Sequence, residues 1–161
     1  MLSRRQTLTA AVAALAALPL ASRRAAAAIA EGPFEFTRSE AEWRAMLTDA
    51  QYAVMREGST ERAGSSPLDA ETRAGVYHCR GCDLPLYSSE VKYDSGTGWP
   101  SFWDVLPDAI GTMDDRSFFV TRTECHCRRC GSHVGHIFDD GPQPTGLRHC
   151  LNGVSLVFRP A

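Results

Sequence analysis

The chain has 161 residues, 43% of them apolar, with 17 Lys and Arg against 19 Asp and Glu for a formal charge of −2. That length makes one ordinary domain, and the acidic balance with a single lysine, Lys92, excludes the basic footprint of a nucleic-acid binder. Residues 1–30 hold Arg4, Arg5, Arg23 and Arg24 and no acid, so residues 31–161 keep thirteen basic residues against all nineteen acidic ones, near −6.

Residues 1–30 also contain twelve alanines, and their apolar stretch, Thr7 to Leu20, is fourteen residues long. A helix needs roughly 20 residues to cross a bilayer. A basic start, a short apolar middle and a small-residue end describe a secretory signal rather than an uncleaved anchor. Ser3-Arg4-Arg5-Gln6-Thr7-Leu8 resembles the twin-arginine export signal, with Thr7 where a bulky apolar residue is usual. We therefore expect export to a periplasm, cleavage after Ala28 or Ala30, and no stable membrane association. Residues 31–37 are expected as a linker and 38–161 as one domain.

Ser39 to Glu42 is a capping box, and Trp43, Met46 and Leu47 follow at helical spacing. Thr48 to Gln51 repeats the pattern and opens a second short helix that Gly58 can close. "STERAGSSPLD" is a polar loop. From Gly75 the signals change to short strands: Val76–His78, Leu86–Tyr87, Ser117–Thr121 after an Asp114-Asp115 turn, His133–Phe138, Arg148–Asn152 and Val154–Phe158. Turn residues between 80 and 146 exclude a helical bundle. The fold class is mainly antiparallel β with a small helical N-terminal segment.

Six cysteines must be placed. Cys79-Arg80-Gly81-Cys82 and Cys127-Arg128-Arg129-Cys130 are two pairs separated by 44 residues. Two such pairs can give four thiolates to one tetrahedral Zn²⁺, and Gly81 and Gly131 sit where knuckle turns need an unhindered backbone. Disulfides are the rival for an exported chain. Twin-arginine export moves folded proteins, however, so a metal can be loaded in a reducing cytoplasm. A site closed by four thiolates stabilises the fold and leaves no open position for chemistry.

Cys125 and Cys150 remain. On a strand, Arg148, Cys150 and Asn152 project together, and a cation beside a thiol lowers its pKa. A lone strand cysteine is otherwise a small buried hydrophobe. "HVGHIFDD" places His133, His136, Asp139 and Asp140 within eight residues. Strand alternation sends the two histidines to opposite faces unless Gly135 bends the chain.

Five segments in order, "SPLDAETRAGVYHCRGC", "KYDSGTGWPSF", "HVGHIFDDGP", "PTGLRHCLNG" and "VSLVF", resemble the B-type methionine-R-sulfoxide reductase family over residues 38–161. The resemblance implies two antiparallel sheets with a small helical segment. It implies Cys150 as nucleophile and Cys79, Cys82, Cys127 and Cys130 as ligands of one structural Zn²⁺. Trp99 would shape the methyl pocket with Phe138, while His133, His136, Asp140, Arg148 and Asn152 would frame the sulfoxide oxygen or support groups that do. The implied partners are methionine-R-sulfoxide in proteins or peptides and a thioredoxin-like or other thiol reductant. We expect a monomer and no nucleic acid.

Lowering a thiol pKa by about two units raises its thiolate fraction but lowers its nucleophilicity, a net gain of about threefold. A donor to a developing oxyanion is worth about 2.7–4 kcal/mol. His136 and Arg148, oriented by Asp140, are therefore expected to act mainly through the oxygen. A zinc-ribbon-like binding module would leave Cys150 and Trp99 without a purpose. A Cys/His thiol hydrolase would use similar residue types, but Asn152 is poorly placed to orient a histidine. Many family members carry a resolving cysteine where this chain has Thr97. Cys125 is expected to pack beside the metal site, so that the Cys150 sulfenic acid waits for an external thiol.

Overall fold

The computed structural model describes residues 27–118 and 120–161, so most of the expected export signal lies outside the described residues. Two short helices lead the domain. α1 (Glu40–Met46) starts on Ser39, whose hydroxyl accepts from the Glu42 amide while the Glu42 carboxylate accepts from the Ser39 amide. α2 (Asp49–Glu57) repeats this with Thr48 and Gln51 and closes on Gly58 in the left-handed conformation, φ 69°. Trp43 and Met55 bury one side of the pair, and Met46 stays exposed. No helix of the described residues is long and apolar enough to cross a membrane.

Two antiparallel sheets follow, as expected. β1 (Gly75–Cys79) lies between β2 (Pro85–Ser88) and β9 (Leu156–Pro160). The second sheet has the order β3-β4-β8-β7-β6-β5, with β3 (Lys92–Tyr93), β4 (Ser101–Phe102), β5 (Ile110–Phe118), β6 (Val120–Cys127), β7 (His133–Phe138) and β8 (Arg148–Leu151). β1 alternates buried and half-buried residues, which turns Tyr77 and Cys79 inward. Phe102 from the large sheet meets Tyr77 and Tyr87 from the small one at ring-centroid distances of 4.9 and 4.7 Å. Leu86, Val134, Leu151 and Leu156 complete this core. Burying each such side chain contributes about 1.5–3 kcal/mol.

Three expectations change. Asp114-Asp115 is strand interior, not a turn, and the chain reverses further on, between Phe118 and Val120. Buried Asp115 is tolerated there because hydrogen-bond donors surround its carboxylate, as detailed below. β8 stops at Leu151, and residues Gly153–Ser155 form a short 3-10 helix before β9. Ser101–Phe102, outside the expected strands, form a strand joined to β8 by the pairing Ser101↔Cys150. The segment 27–37 lies along the domain: the Ala27 amide donates to the Gly58 carbonyl at 2.6 Å and that of Phe36 to Arg129 at 2.9 Å.

Candidate active site

β7 and β8 build the site. Their register pairs His136 with Cys150 and Gly135 with Leu151, and β4 adds Ser101 on the far side of Cys150. Gly135 permits this approach, because a Cβ there would lie 2.1 Å from the Cys150 carbonyl oxygen. Beside it opens a cavity of about 140 Å³ lined by Thr60, Trp99, Arg122, Gly135, His136, Phe138, Cys150, Leu151 and Asn152. Among the described residues lining it, Cys150 alone carries a thiol.

Burial pushes the Cys150 thiol above its ordinary value, and this outweighs the opposing pull of Arg148 and of a hydrogen bond from Thr97. The expected lowering by a neighbouring cation is present but loses. At neutral pH the resting group is a thiol. Arg148 is held by two bonds to Asp140, 2.8 and 2.9 Å, with its guanidinium 4.4 Å from the Phe138 ring centroid. Asp140 is exposed and lies off the cavity wall, so it orients Arg148 but not His136.

The partner of His136 is Asp115, at 2.8 Å from Nε2. Burial would raise the Asp115 carboxyl, but bonds from Ser117, His136 and Arg122 hold it well below the usual carboxylate range. Burial also lowers His136, against the opposing pull of Asp115, which keeps the ring neutral at pH 7. Sequence reasoning missed Asp115 because aspartate is depleted in strands, and only the pairing of β5, β6 and β7 brings it to the histidine.

His133 is fully buried and does not line the cavity, which corrects its expected place against the substrate. Its Nδ1 lies 2.7 Å from Glu124, which also bonds His126 at 2.8 Å. The histidine rings are nevertheless neighbours, 5.3 Å apart between centroids. Alternation is broken by a shift of register in which Cys125 and His126 of β6 pair with Gly135 and His133 of β7, an extra residue at Val134.

Asn152 lies past the end of β8 with both ends of its amide engaged. Nδ2 donates to Val134 O at 3.3 Å and Oδ1 accepts from the Glu61 amide at 3.0 Å. Glu61, another residue the sequence reading passed over, ties this wall together. Its carbonyl accepts from Trp99 Nε1 at 3.2 Å, and its carboxylate accepts from the amides of Gly153 and Val154 at 2.5 and 3.2 Å. Glu61→Ala should leave these two amides without partners, costing about 1–3 kcal/mol. It should also raise KM more than it lowers kcat, since Trp99 loses its anchor's support; a denaturant midpoint and a Michaelis profile check both.

Cys125 is fully buried on the opposite face from Cys150, against Tyr87. It pairs with Gly135, which pairs with Leu151, so two strand spacings separate it from β8. Those are about 9.6 Å, beyond the roughly 7 Å between Cα atoms that a disulfide allows.

Cys79, Cys82, Cys127 and Cys130 come together away from the cavity, their sulfurs all within 4.8 Å of one another, and this group can hold a metal ion. Gly131 takes a left-handed turn, φ 67°, and the matching position of the first knuckle is Asp83, φ 61°. Gly81 is needed instead for space, a Cβ there lying 3.1 Å from Ser132 Oγ and from Trp43.

Comparison with known proteins gives the chain its family. Residues 47–160 match the model of the SelR domain. A peptide methionine sulfoxide reductase MsrB of Methanosarcina barkeri is 50% identical over 123 residues, covering 76% of this chain and 87% of that protein. The MsrB of Pseudomonas entomophila is 52% identical over 120 residues, 74% and 92% of the two chains. That of Leifsonia xyli is 46% identical over 132 residues, 81% and 95%. The chain belongs to the SelR domain family.

Proposed function

We propose that this chain reduces the R diastereomer of methionine sulfoxide, in proteins and peptides, to methionine. The observation that carries the reading is the placement of the Cys150 thiol on the wall of a small cavity, between Trp99, Phe138 and the neutral ring of His136. Cys150 attacks the sulfoxide sulfur, the oxygen is protonated, methionine leaves, and the cysteine becomes a sulfenic acid. Trp99 supplies a sulfur–aromatic contact of about 0.3–1.5 kcal/mol, enough to orient the methyl group but not to select one protein. Because burial disfavours the resting thiolate, the larger contribution falls to donors at the oxygen, about 2.7–4 kcal/mol each. His136, on the cavity wall, takes that role, and Arg148, off that wall but beside Cys150, adds its positive charge. Asn152 holds the wall and keeps one N–H in reserve, since an amide has two donors and one is engaged.

The four-cysteine group fits Zn²⁺. A tetrahedron with arms of about 2.3 Å has edges of about 3.8 Å, against sulfur separations of 3.7 and 3.4 Å for Cys79–Cys130 and Cys82–Cys127. Zinc would add folding free energy and no reaction step. The reductant is an external thiol of the thioredoxin type, the working form a monomer, and the location a periplasm, the last supported by the basic start and short apolar run of residues 1–30. The test is incubation with the R and S diastereomers of a methionine sulfoxide peptide plus dithiothreitol. Reduction of R alone is expected, and no turnover of either would remove the proposal.

A further inference from the structure

Asp115 is entirely buried, and its carboxylate accepts five hydrogen bonds. Its Oδ1 accepts from Ser117 N at 3.0 Å, Ser117 Oγ at 2.5 Å and Ala28 N at 3.3 Å. Its Oδ2 accepts from Arg122 Nη2 at 2.6 Å and from His136 Nε2 at 2.8 Å. An ionised carboxylate accepts only, so Nε2 must carry the proton and the ring's lone pair must lie on Nδ1. The ring is then fixed in one tautomer, on the strand residue paired directly with Cys150.

We propose that Asp115 is a positioning residue of the reaction, holding His136 so that Nδ1 takes the Cys150 proton and delivers it to the sulfoxide oxygen. This rests on the reductase reading above. The step balances without another reagent. The Cys150 S–H bond breaks and its proton passes to His136 Nδ1. Cysteine sulfur attacks the sulfoxide sulfur, and the oxygen, protonated from Nδ1, ends on Cys150. The thiol and the sulfoxide thus become a sulfenic acid and a thioether. Substrate sulfur gains two electrons, Cys150 loses two, and His136 returns to neutral. The transient imidazolium is stabilised by the Asp115 anion behind it, as the aspartate does in a Ser-His-Asp triad.

The groups facing His136 are Asp115 from β5, Arg122 and Glu124 from β6, His133 from its own strand and Cys150 from β8. Of these, Asp115 raises the imidazole pKa, while burial, Arg122 and His133 lower it. Asp115→Asn removes the anion and leaves the cation, so the acid limb of the kcat profile should move to lower pH. Losing the orienting carboxylate of a triad lowers kcat about 10⁴-fold, and we expect here at least about a hundredfold with KM little changed.

The experiment measures kcat and KM from pH 4 to 9 for wild type, Asp115→Asn, Asp115→Glu, His136→Gln and the double variants, with metal content and thermal melts as fold controls. The inference expects Asp115→Asn to cost nothing further once His136 is glutamine, and Asp115→Glu to recover part of kcat in the His136 background only. Should Asp115→Asn fail to fold, the Glu variant with and without His136 carries the same comparison. Equal losses in both backgrounds, or an acid limb that stays in place, would overturn it. Absence of R reduction by the wild type would instead remove the reductase reading.

Discussion

Cys150→Ser should abolish methionine sulfoxide reduction while the fold and the metal content stay intact. Loss of a covalent nucleophile lowers turnover by roughly 10⁶ where the catalytic unit acts together, so residual activity should fall below detection. Serine is close in volume, and Cys150 is half-buried on a cavity wall rather than in the core. Its backbone pairing with His136 and Ser101 involves no side chain, so packing has little reason to change. Nor can Cys125 take over, being sealed on the other face of the sheet with its thiol pushed well up by burial. A steady-state assay with R sulfoxide and dithiothreitol checks this, and activity above a few per cent would mean that another thiol attacks.

Cys79→Ser should have the opposite signature: stability fails first and activity follows. Cys79 ends β1, with its sulfur 3.7 Å from that of Cys130 at the turn between β6 and β7. The metal would therefore join the two sheets, as well as the turns that carry them. Because ligand binding is part of the folding free energy, and structural zinc in small peptides binds with roughly 10–16 kcal/mol, losing one thiolate should remove several kcal/mol. At about 3 °C per kcal/mol for a domain of this size, the melting temperature should drop by more than about 10 °C, with loss of bound zinc by elemental analysis. An unchanged melt would exclude a structural metal there.

The sequence announces some of these features and hides others for physical reasons. The paired cysteines and the two capping boxes are legible because each depends on residues a few positions apart, whereas Cys150 and Trp99 stand out only through the family resemblance. β3 and β4 are two residues each, too short for any period to register. Asp115 and Glu61 act across 21 and 91 residues of chain, on His136 and Asn152. Their purpose exists only once β5 and β6 are paired and the loop before Gly64 folds over Trp99. His133 misleads for a related reason: the extra residue at Val134 brings it to the side of His136, while Glu124 holds it beneath the surface. Asp140 is close to His136 in sequence, yet its carboxylate is spent on Arg148.

Thr97 lies beside Cys150, at the position where the family resemblance implies a resolving cysteine in many members. The oxygen removed from the substrate should therefore stay on Cys150 until an external thiol arrives. Intact mass after one equivalent of R sulfoxide, without reductant, tests this most directly. The account predicts one equivalent of methionine, a gain of one oxygen trapped by dimedone at Cys150, and no internal disulfide. A loss of two hydrogens with a Cys125–Cys150 linked peptide, or an unmodified Cys150 after methionine release, would contradict it.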